Sequence, residues 1–385
     1  MPRRVVSVIL VDRANYGRMW PVMRAIQEHH DLELQTVCAG TMLLERFGQP
    51  ERIVEADGFP IHGRVYMELE GSVPTTMAKS IGFGIVEFAS ELHRLKPDIV
   101  LLIGDRYETL AATIAAAYQN IPIAHVQGGE VSGSIDESAR HAITRFAHFH
   151  FPATRRAAEY LLRMGERPDC VFPYGCPCGD YIIPLDSALP HDVFNRRGIG
   201  AAVSPEERFV LVIYHPVTTE FGEEGAHVAE ILAAVEQLRC PTVWLWPNID
   251  AGADQISKTL RRYREQKGDQ WLRLIKNFEP MIFQKVLKKC ACAIGNSSSF
   301  MRDTTFSGTP VILVGDRQEG RELAENIVAV KPRASDILEA AMRQLARGRY
   351  APSQLYGDGT AAKKIVKTLA EVTLYTQKRL NYIYE

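Results

Sequence analysis

Residues 125–151, HVQGGEVSGSIDESARHAITRFAHFHF, concentrate groups able to do chemistry. Ile121, Ile123, Ala124 and Val126, at and just before its start, read as the end of a buried strand. Gln127 and two glycines follow, then Glu130, small polar steps, Asp136 with Glu137, and a helix expected to carry His141, His148 and His150. Flexible backbone, carboxylates and imidazoles at the carboxyl end of a strand are the usual surroundings of a ligand in an α/β sheet. Carboxylates held there suit proton transfer. The histidines also suit plain packing.

Further stretches repeat the arrangement of strand followed by polar turn. In IGDRYETL (103–110), Asp105 and Arg106 stand where a strand gives way to a helix; they fit a ligand site, a helix cap or a structural ion pair. IGNSSSFMRD (294–303) sets Ser297 and Ser298 at a helix start, where backbone N–H groups and hydroxyls can hold a diphosphate or simply cap the helix. In VGDRQEGRE (314–322), Arg317 and Arg321 can bind phosphate or the serine loop, or form a solvated turn. His215 precedes Pro216 at a strand end, a place for a structural or a functional imidazole. Asn248 and Asp250 in LWPNIDAGAD (245–254) offer ligand groups or caps. Neither a P-loop signature nor a G-x-G-x-x-G fingerprint occurs, which argues against P-loop NTPases and against nicotinamide or flavin binding.

Composition narrows the class. The 45 basic and 46 acidic residues leave a net charge of −1, so no global excess draws the chain to nucleic acid or to a membrane surface. No apolar run is long enough to span a bilayer. The opening MPRRVVSVILVDRANYG has a short apolar run cut off by Asp12 and Arg13, and reads as a first strand rather than a signal peptide. Seven cysteines, an odd number, point to reduced thiols and a cytoplasmic location. Cys290 and Cys292 are expected on one face of a strand, packed in a core. Cys176 and Cys178 flank Pro177 in a glycine-rich turn; their spacing is tighter than zinc sites use, and no metal site is expected.

The elements that must position these groups follow from hydrophobic periodicity. Apolar strands over 5–10, 32–39, 98–104, 121–126 and 148–154 alternate with helices over 17–29, 77–95, 106–119 and a helix from Arg155, and VFPYG (171–175) closes the run. Residues 183–207 read as a linker with one short helix. The alternation restarts with strands over 209–216, 242–248, 271–277, 290–296, 309–315 and 325–330, and a final helical segment runs from Ser335 to near the end. The expected fold class is α/β, with two doubly wound Rossmann-like domains over 1–182 and 208–365. The ligand belongs in the cleft between them.

Taken together, DRANYG, GDRYETLAA, HVQGGEVSGSIDESARHAIT, YGCP, YHPVTTE, WPNIDAGAD, IGNSSSFMRD and GDRQEGRE closely resemble, in order and spacing, the hydrolysing UDP-N-acetylglucosamine 2-epimerase family of the sialic-acid and legionaminic-acid pathways. The resemblance covers nearly the whole chain. It implies a glycosyltransferase-B-like fold in which residues 366–385 pack back toward the first domain. It implies elimination of UDP from C1 and of the C2 proton of UDP-GlcNAc, then hydration of the glycal with inversion at C2, giving N-acetylmannosamine and UDP. That chemistry requires no metal or redox cofactor. Family matching assigns the diphosphate cradle to Arg13, Arg106, His215, Asn248, Ser297, Ser298 and Arg317. It assigns proton transfer to Asp105 and Asp136, with Glu130 in support, and it suggests a homodimer or homotetramer.

The chain departs from the family pattern at several positions. Gln127 replaces the glutamate before the paired glycines, and an amide does not exchange a proton as a carboxylate does. Met42, Ile103, Asn15 and Asp303 stand where family members carry histidine, histidine, aspartate and glutamate. These changes bear on substrate identity. The alternatives are an epimerase of a UDP-diacetamido-trideoxyhexose or a GDP-linked sugar, a glycosyltransferase of the same fold, and a nucleotide-sugar-binding regulator.

Overall fold

The computed structural model describes residues 2–267 and 270–381. A six-stranded sheet is formed by β1 (Arg4–Leu10), β2 (Leu32–Ala39), β3 (Gly63–Val65), β4 (Ile99–Ile103), β5 (Ile123–Val126) and β6 (Phe149–Phe151). Its order is β3-β2-β1-β4-β5-β6, parallel throughout. A seven-stranded sheet is formed by β7 (Ile199–Gly200), β8 (Val210–Ile213), β9 (Thr242–Leu245), β10 (Leu272–Ile275), β11 (Cys292–Gly295), β12 (Val311–Val314) and β13 (Ile327–Val330). Its order is β13-β12-β11-β8-β9-β10-β7, and only the edge strand β7 runs antiparallel to its neighbour.

Among the described residues thirteen α-helices surround the sheets: α1 (Arg13–Glu28), α2 (Glu51–Ala56), α3 (Pro74–Leu95), α4 (Tyr107–Tyr118), α5 (Ile135–Phe146), α6 (Arg155–Arg163), α7 (Gly179–Ile182), α8 (Glu224–Leu238), α9 (Ala253–Lys267), α10 (Pro280–Lys289), α11 (Ser298–Arg302), α12 (Ala334–Arg347) and α13 (Ala361–Glu371). Uninterrupted apolar strands such as IVLLI and VILV are the pattern of a sheet covered on both faces. In β1 the alternation is explicit. Val6, Val8 and Leu10 enter a core shared with α1 and α13, whereas Ile9 enters the opposite core with α3 and α4. In β8, Leu211 and Ile213 face α10 and α11, and Val210 and Val212 face α8, α9 and α12. None of the helices among the described residues is long and apolar enough to cross a membrane.

Strand order reverses between β1 and β4 in one sheet and between β8 and β11 in the other. At such switch points neighbouring crossovers go to opposite faces and leave a crevice beyond the strand ends.

The structure corrects several local expectations. Helix α1 starts at Arg13, because Asp12 caps it by accepting from the Asn15 N–H at 2.6 Å. Residues 183–207 hold no helix. They supply β7 and bury Val193, Phe194 and Val203, and Arg273 of β10 ties them down by donating to the carbonyls of Phe194, Asn195, Arg197 and Gly200. Of the three histidines, only His141 lies on the helix α5; His148 precedes β6 and His150 is within it, in the strand expected over 148–154. Val171 joins the sheet through a single bridge to His150 rather than as a strand. Cys290 ends α10 and Cys292 opens β11, so they enter cores on opposite sides of the sheet.

The terminal helical segment is two helices, α12 and α13. The second begins at Ala361, where the Asp180 carboxylate accepts from the N–H groups of Ala361 and Ala362 at 3.0 and 2.8 Å. It packs Ile365, Val366 and Leu369 into the core of the first sheet. Residues 372–381 are not helical but also lie on this side, with Lys378 2.6 Å from Glu166.

Candidate active site

A cavity of about 770 Å³ opens where the carboxyl ends of both switch-point strand pairs converge. Asp12 and Arg13 after β1, Asp105 and Arg106 after β4 and Gln127 after β5 form its first wall. His215 after β8, Asn248 after β9, Ser297 and Ser298 after β11 and Arg317 after β12 form the second. The first-turn residue Asp136 of α5 completes it. Of the ten residues to which the resemblance assigns a role, only Glu130 is absent from this lining, and Gln127 is in it; Asp250, the other ligand group offered by the Asn248 turn, is also absent.

Asp105 and Asp136 lie in contrasting surroundings. Arg140 donates to Asp105 through Nε at 3.0 Å and through Nη2, and Arg321 approaches it at 3.5 Å. Burial works against the Asp105 charge, but these guanidiniums outweigh it and hold the group well below the usual carboxylate range. Among the described residues Asp136 forms one ion pair, with Arg317 at 3.5 Å, and Arg106 acts on it more weakly. Burial and the Asp105 charge push Asp136 up to about 6 against the pull of Arg317. Two neighbouring carboxylates with separated proton affinities are the arrangement acid–base catalysis uses.

Arg140 was not singled out in the sequence. It stands four residues after Asp136, so both project from one face of α5. That spacing was the available signal. Fully buried, Arg140 also donates to the Glu130 carbonyl at 2.6 Å and the Ser132 hydroxyl at 3.1 Å, tying the 130–132 loop to Asp105.

Glu130 is turned away from the cavity. Its carboxylate accepts from Arg302 and Arg321 of the second domain, and it is 7% exposed. A carboxylate engaged by two guanidiniums and set off the cavity wall is a clamp between domains, which corrects its expected place among the proton-transfer groups. The second of the paired glycines is fixed by packing within the chain. A side chain on Gly129, at φ +78°, would lie 2.3 Å from the Ala157 carbonyl, so the turn packs on α6 rather than against a ligand. Gly133 marks the domain contact itself, since a Cβ there would meet the Asp316 carbonyl at 1.9 Å.

The basic side of the cavity is uneven. Arg106 donates to Glu108 at 3.1 and 2.9 Å and to Asp250 at 2.6 Å, so carboxylates already occupy the guanidinium expected to meet a diphosphate. Arg13, by contrast, has no hydrogen-bond partner among the described residues; burial lowers it to about 10, against Asp12 and Glu279, which leaves it charged. Arg317 donates weakly to the Asn296 carbonyl at 3.3 Å. Ser297 caps α11, and the Ser298 hydroxyl accepts from Arg18 at 3.1 Å, a cross-domain contact made by a second arginine the sequence reading passed over. With five residues, α11 adds little dipole, so hydroxyls and guanidiniums carry the anion-binding character.

His215 is held by Asn296, whose side chain accepts from the His215 N–H at 2.7 Å and donates to its carbonyl at 2.8 Å. Its Nδ1 accepts from the Asn248 N–H at 3.1 Å, which leaves Nε2 as the N–H donor. Burial and Arg317 lower its pKa to about 3, so the ring is neutral. The Asn248 amide donates to Asp250 at 2.5 Å. Buried oxygens of Asn15, Ser72, Ser134 and Gln318 in this lining have no partner among the described residues. Unpaired buried polar atoms are costly, and a polar ligand satisfies them.

Two Rossmann-like domains enclosing a cleft with carboxylates on one wall and serines, imidazole and arginine on the other define a glycosyltransferase-B-like α/β protein. The family model described as "UDP-N-acetylglucosamine 2-epimerase" matches residues 24–370. The chain is 32% identical, over 97% of both sequences, to the UDP-N,N'-diacetylbacillosamine 2-epimerase (hydrolyzing) of Legionella pneumophila. It is 28% identical to the UDP-N-acetylglucosamine 2-epimerase of Neisseria meningitidis, over 90% of this chain and 89% of that protein. Among solved structures it is similar to the Neisseria meningitidis UDP-GlcNAc 2-epimerase bound to UDP-GlcNAc, with a TM-score of 0.76, 18% identity, and 96% and 100% of the two chains covered. It is similar also to the Methanocaldococcus jannaschii enzyme in complex with UDP-GlcNAc and UDP, with a TM-score of 0.77, 18% identity, and 95% and 99% covered. The protein belongs to the UDP-N-acetylglucosamine 2-epimerase family.

Proposed function

We propose that the protein is a hydrolysing nucleotide-sugar 2-epimerase acting on a UDP-linked 2-acetamido sugar. The observation that carries this reading is the pair Asp105 and Asp136, with opposed pKa shifts, facing Ser298 and Arg317 across one cleft. Asp136 in its carboxylate form takes the proton from C2. The C1–O bond breaks and its electron pair leaves with UDP, received by Ser297, Ser298, Arg317, Arg13 and the His215 Nε2–H. Water then adds across the C1–C2 double bond, its hydroxyl to C1 and a proton to C2 on the opposite face. Asp105 stays ionised and fixes Arg140 and the 130–132 loop. Closed domains keep water away until the diphosphate has left.

UDP-GlcNAc, yielding N-acetylmannosamine, is one candidate. A UDP-diacetamido-trideoxyhexose is the other, favoured by the names of the Legionella pneumophila relative and of a Campylobacter jejuni relative called GDP/UDP-N,N'-diacetylbacillosamine 2-epimerase (hydrolyzing). Incubation with both sugars, and with the GDP-linked form, in deuterated water tests the reading. The expected result is UDP plus a free C2-epimeric sugar carrying deuterium at C2. UDP release with C2–H intact, or turnover only with an acceptor, overturns it in favour of a transferase.

A further inference from the structure

Gln127 is the residue at which this chain departs most from proton-transfer chemistry, and its surroundings give the amide a different task. Its backbone is pinned: φ is +66°, a left-handed conformation rare for a side-chain-bearing residue, and its N–H donates to the Phe151 carbonyl at 2.9 Å. Its side-chain Nε2 donates to Cys176 Sγ at 2.9 Å. Cys176 Sγ lies 3.0 Å from Cys178 Sγ, and Cys178 donates to Asp303 Oδ1 at 3.4 Å. The other Asp303 oxygen accepts from Gln284 Nε2 at 2.7 Å. Both thiols are buried, and the turn that carries them is anchored by the Cys176 N–H donating to the Tyr356 carbonyl at 2.7 Å.

The chain of bonds has one direction. A carboxylate accepts and does not donate, so Cys178 spends its single S–H on Asp303. The 3.0 Å contact between the two sulfurs is then a hydrogen bond only if Cys176 donates to Cys178, and the Cys176 sulfur is left to accept from Gln127. Gln127 is therefore required to present its NH₂ to Cys176 and its carbonyl oxygen away from it. Gln127 and Asp303 both line the cavity, whereas the two thiols lie behind it. Nothing among the described residues donates to the Gln127 carbonyl oxygen.

We propose that Cys176 and Cys178 are positioning residues that lock the Gln127 amide so that its carbonyl oxygen accepts a hydrogen bond from an N–H or O–H of the bound sugar. This rests on the nucleotide-sugar reading above. Position 127 then recognises substrate rather than moving a proton, and the orientation is set by Asp303 through the two sulfurs. The same carboxylate, held by Gln284, stands on the second-domain wall of the cavity, so the sugar and nucleotide sides are linked under its floor.

The test compares Cys176→Val and Cys178→Ala, which break the chain, with Cys176→Ser and Cys178→Ser, which keep a group that both accepts and donates. KM for the nucleotide sugar and its calorimetric affinity are measured beside the affinity for UDP alone. Breaking variants are expected to raise KM about fivefold, the loss of one neutral hydrogen bond. UDP affinity stays within about twofold, and the serine variants restore KM. Should Cys176→Val not fold, the Cys178→Ala and Cys178→Ser pair reads the same quantity. Unchanged KM in the breaking variants, serine variants as impaired as valine, or equal weakening of UDP and nucleotide sugar each overturn the proposal while leaving the epimerase reading standing. A wild-type chain that binds UDP but no nucleotide sugar overturns both.

Discussion

Arg317 Nη2 lies 3.5 Å from the Asp136 carboxylate, and this ion pair joins the proposed phosphate side of the cavity to the proposed proton-transfer side across the domain boundary. A diphosphate arriving at Arg317 competes for the same guanidinium. As it does so, Asp136 loses the positive charge that holds its pKa down and becomes a stronger base. In the proposed mechanism, leaving-group binding and base strength are thereby coupled.

The pH dependence of kcat/KM follows from that pair. In the proposed mechanism Asp136 works as a carboxylate, so activity is expected to fall as pH drops through its raised value of about 6. Arg317→Gln removes the charge opposing that shift and moves the acid limb to higher pH. Asp136→Asn abolishes turnover. A pH–rate profile of the three proteins checks this, and an acid limb unmoved in Arg317→Gln would separate the limb from Asp136.

Asp105→Asn keeps the shape of the side chain and removes its charge. Turnover is lost and UDP affinity stays within a few-fold, because Asp105 faces Arg140 and Arg321 rather than the serine loop. Any residual activity shifts its acid limb to lower pH, since the Asp105 charge is one of the causes that raise Asp136. Calorimetry with UDP and the pH profile together decide the point; near-normal turnover excludes the assigned role.

Glu130→Ala is a stability prediction. It strips the carboxylate from Arg302 and Arg321, whose side chains are each 4% exposed and whose Nε atoms have no partner among the described residues. Arg321 keeps Asp105 at 3.5 Å, but the buried Arg302 guanidinium loses its carboxylate, which costs about 3–5 kcal/mol. Urea unfolding measures it, and a loss below about 1 kcal/mol, the range of an exposed pair, contradicts the clamp.

Ser298→Ala combined with Arg317→Ala removes a hydroxyl and a guanidinium from the proposed diphosphate cradle. A charge-assisted hydrogen bond contributes about 1.5–3 kcal/mol, so UDP affinity falls at least about tenfold. Titration with UDP reads it directly, and unchanged affinity displaces the phosphate site to Arg13 and His215.

Local pattern made much of this legible. Apolar strands bounded by polar turns placed Asp105, Gln127, His215, Asn248, Ser297 and Arg317 at strand ends, and the structure gathers all of them around one cavity. The Arg140 spacing to Asp136 was equally local but lay inside a helix already read for its acids and histidines. Boundaries failed where a single side chain decides them, as at Asp12, which starts α1, and Asp180, which caps α13 from far along the chain.

By itself, the sequence determined the two doubly wound halves and the set of residues delivered to the cleft, because hydrophobic period and turn chemistry act over a few neighbouring residues. Only the tertiary structure decided what each charged or polar group became. Arg106 is claimed by Asp250, 144 residues away; Glu130 is drawn off the cavity by Arg302, 172 residues away; and the Gln127 amide is oriented by Cys176, 49 residues away. Hydrogen bonds and ion pairs depend on distances of a few ångströms and on local burial. Those are properties of the folded chain that no local pattern of residues encodes.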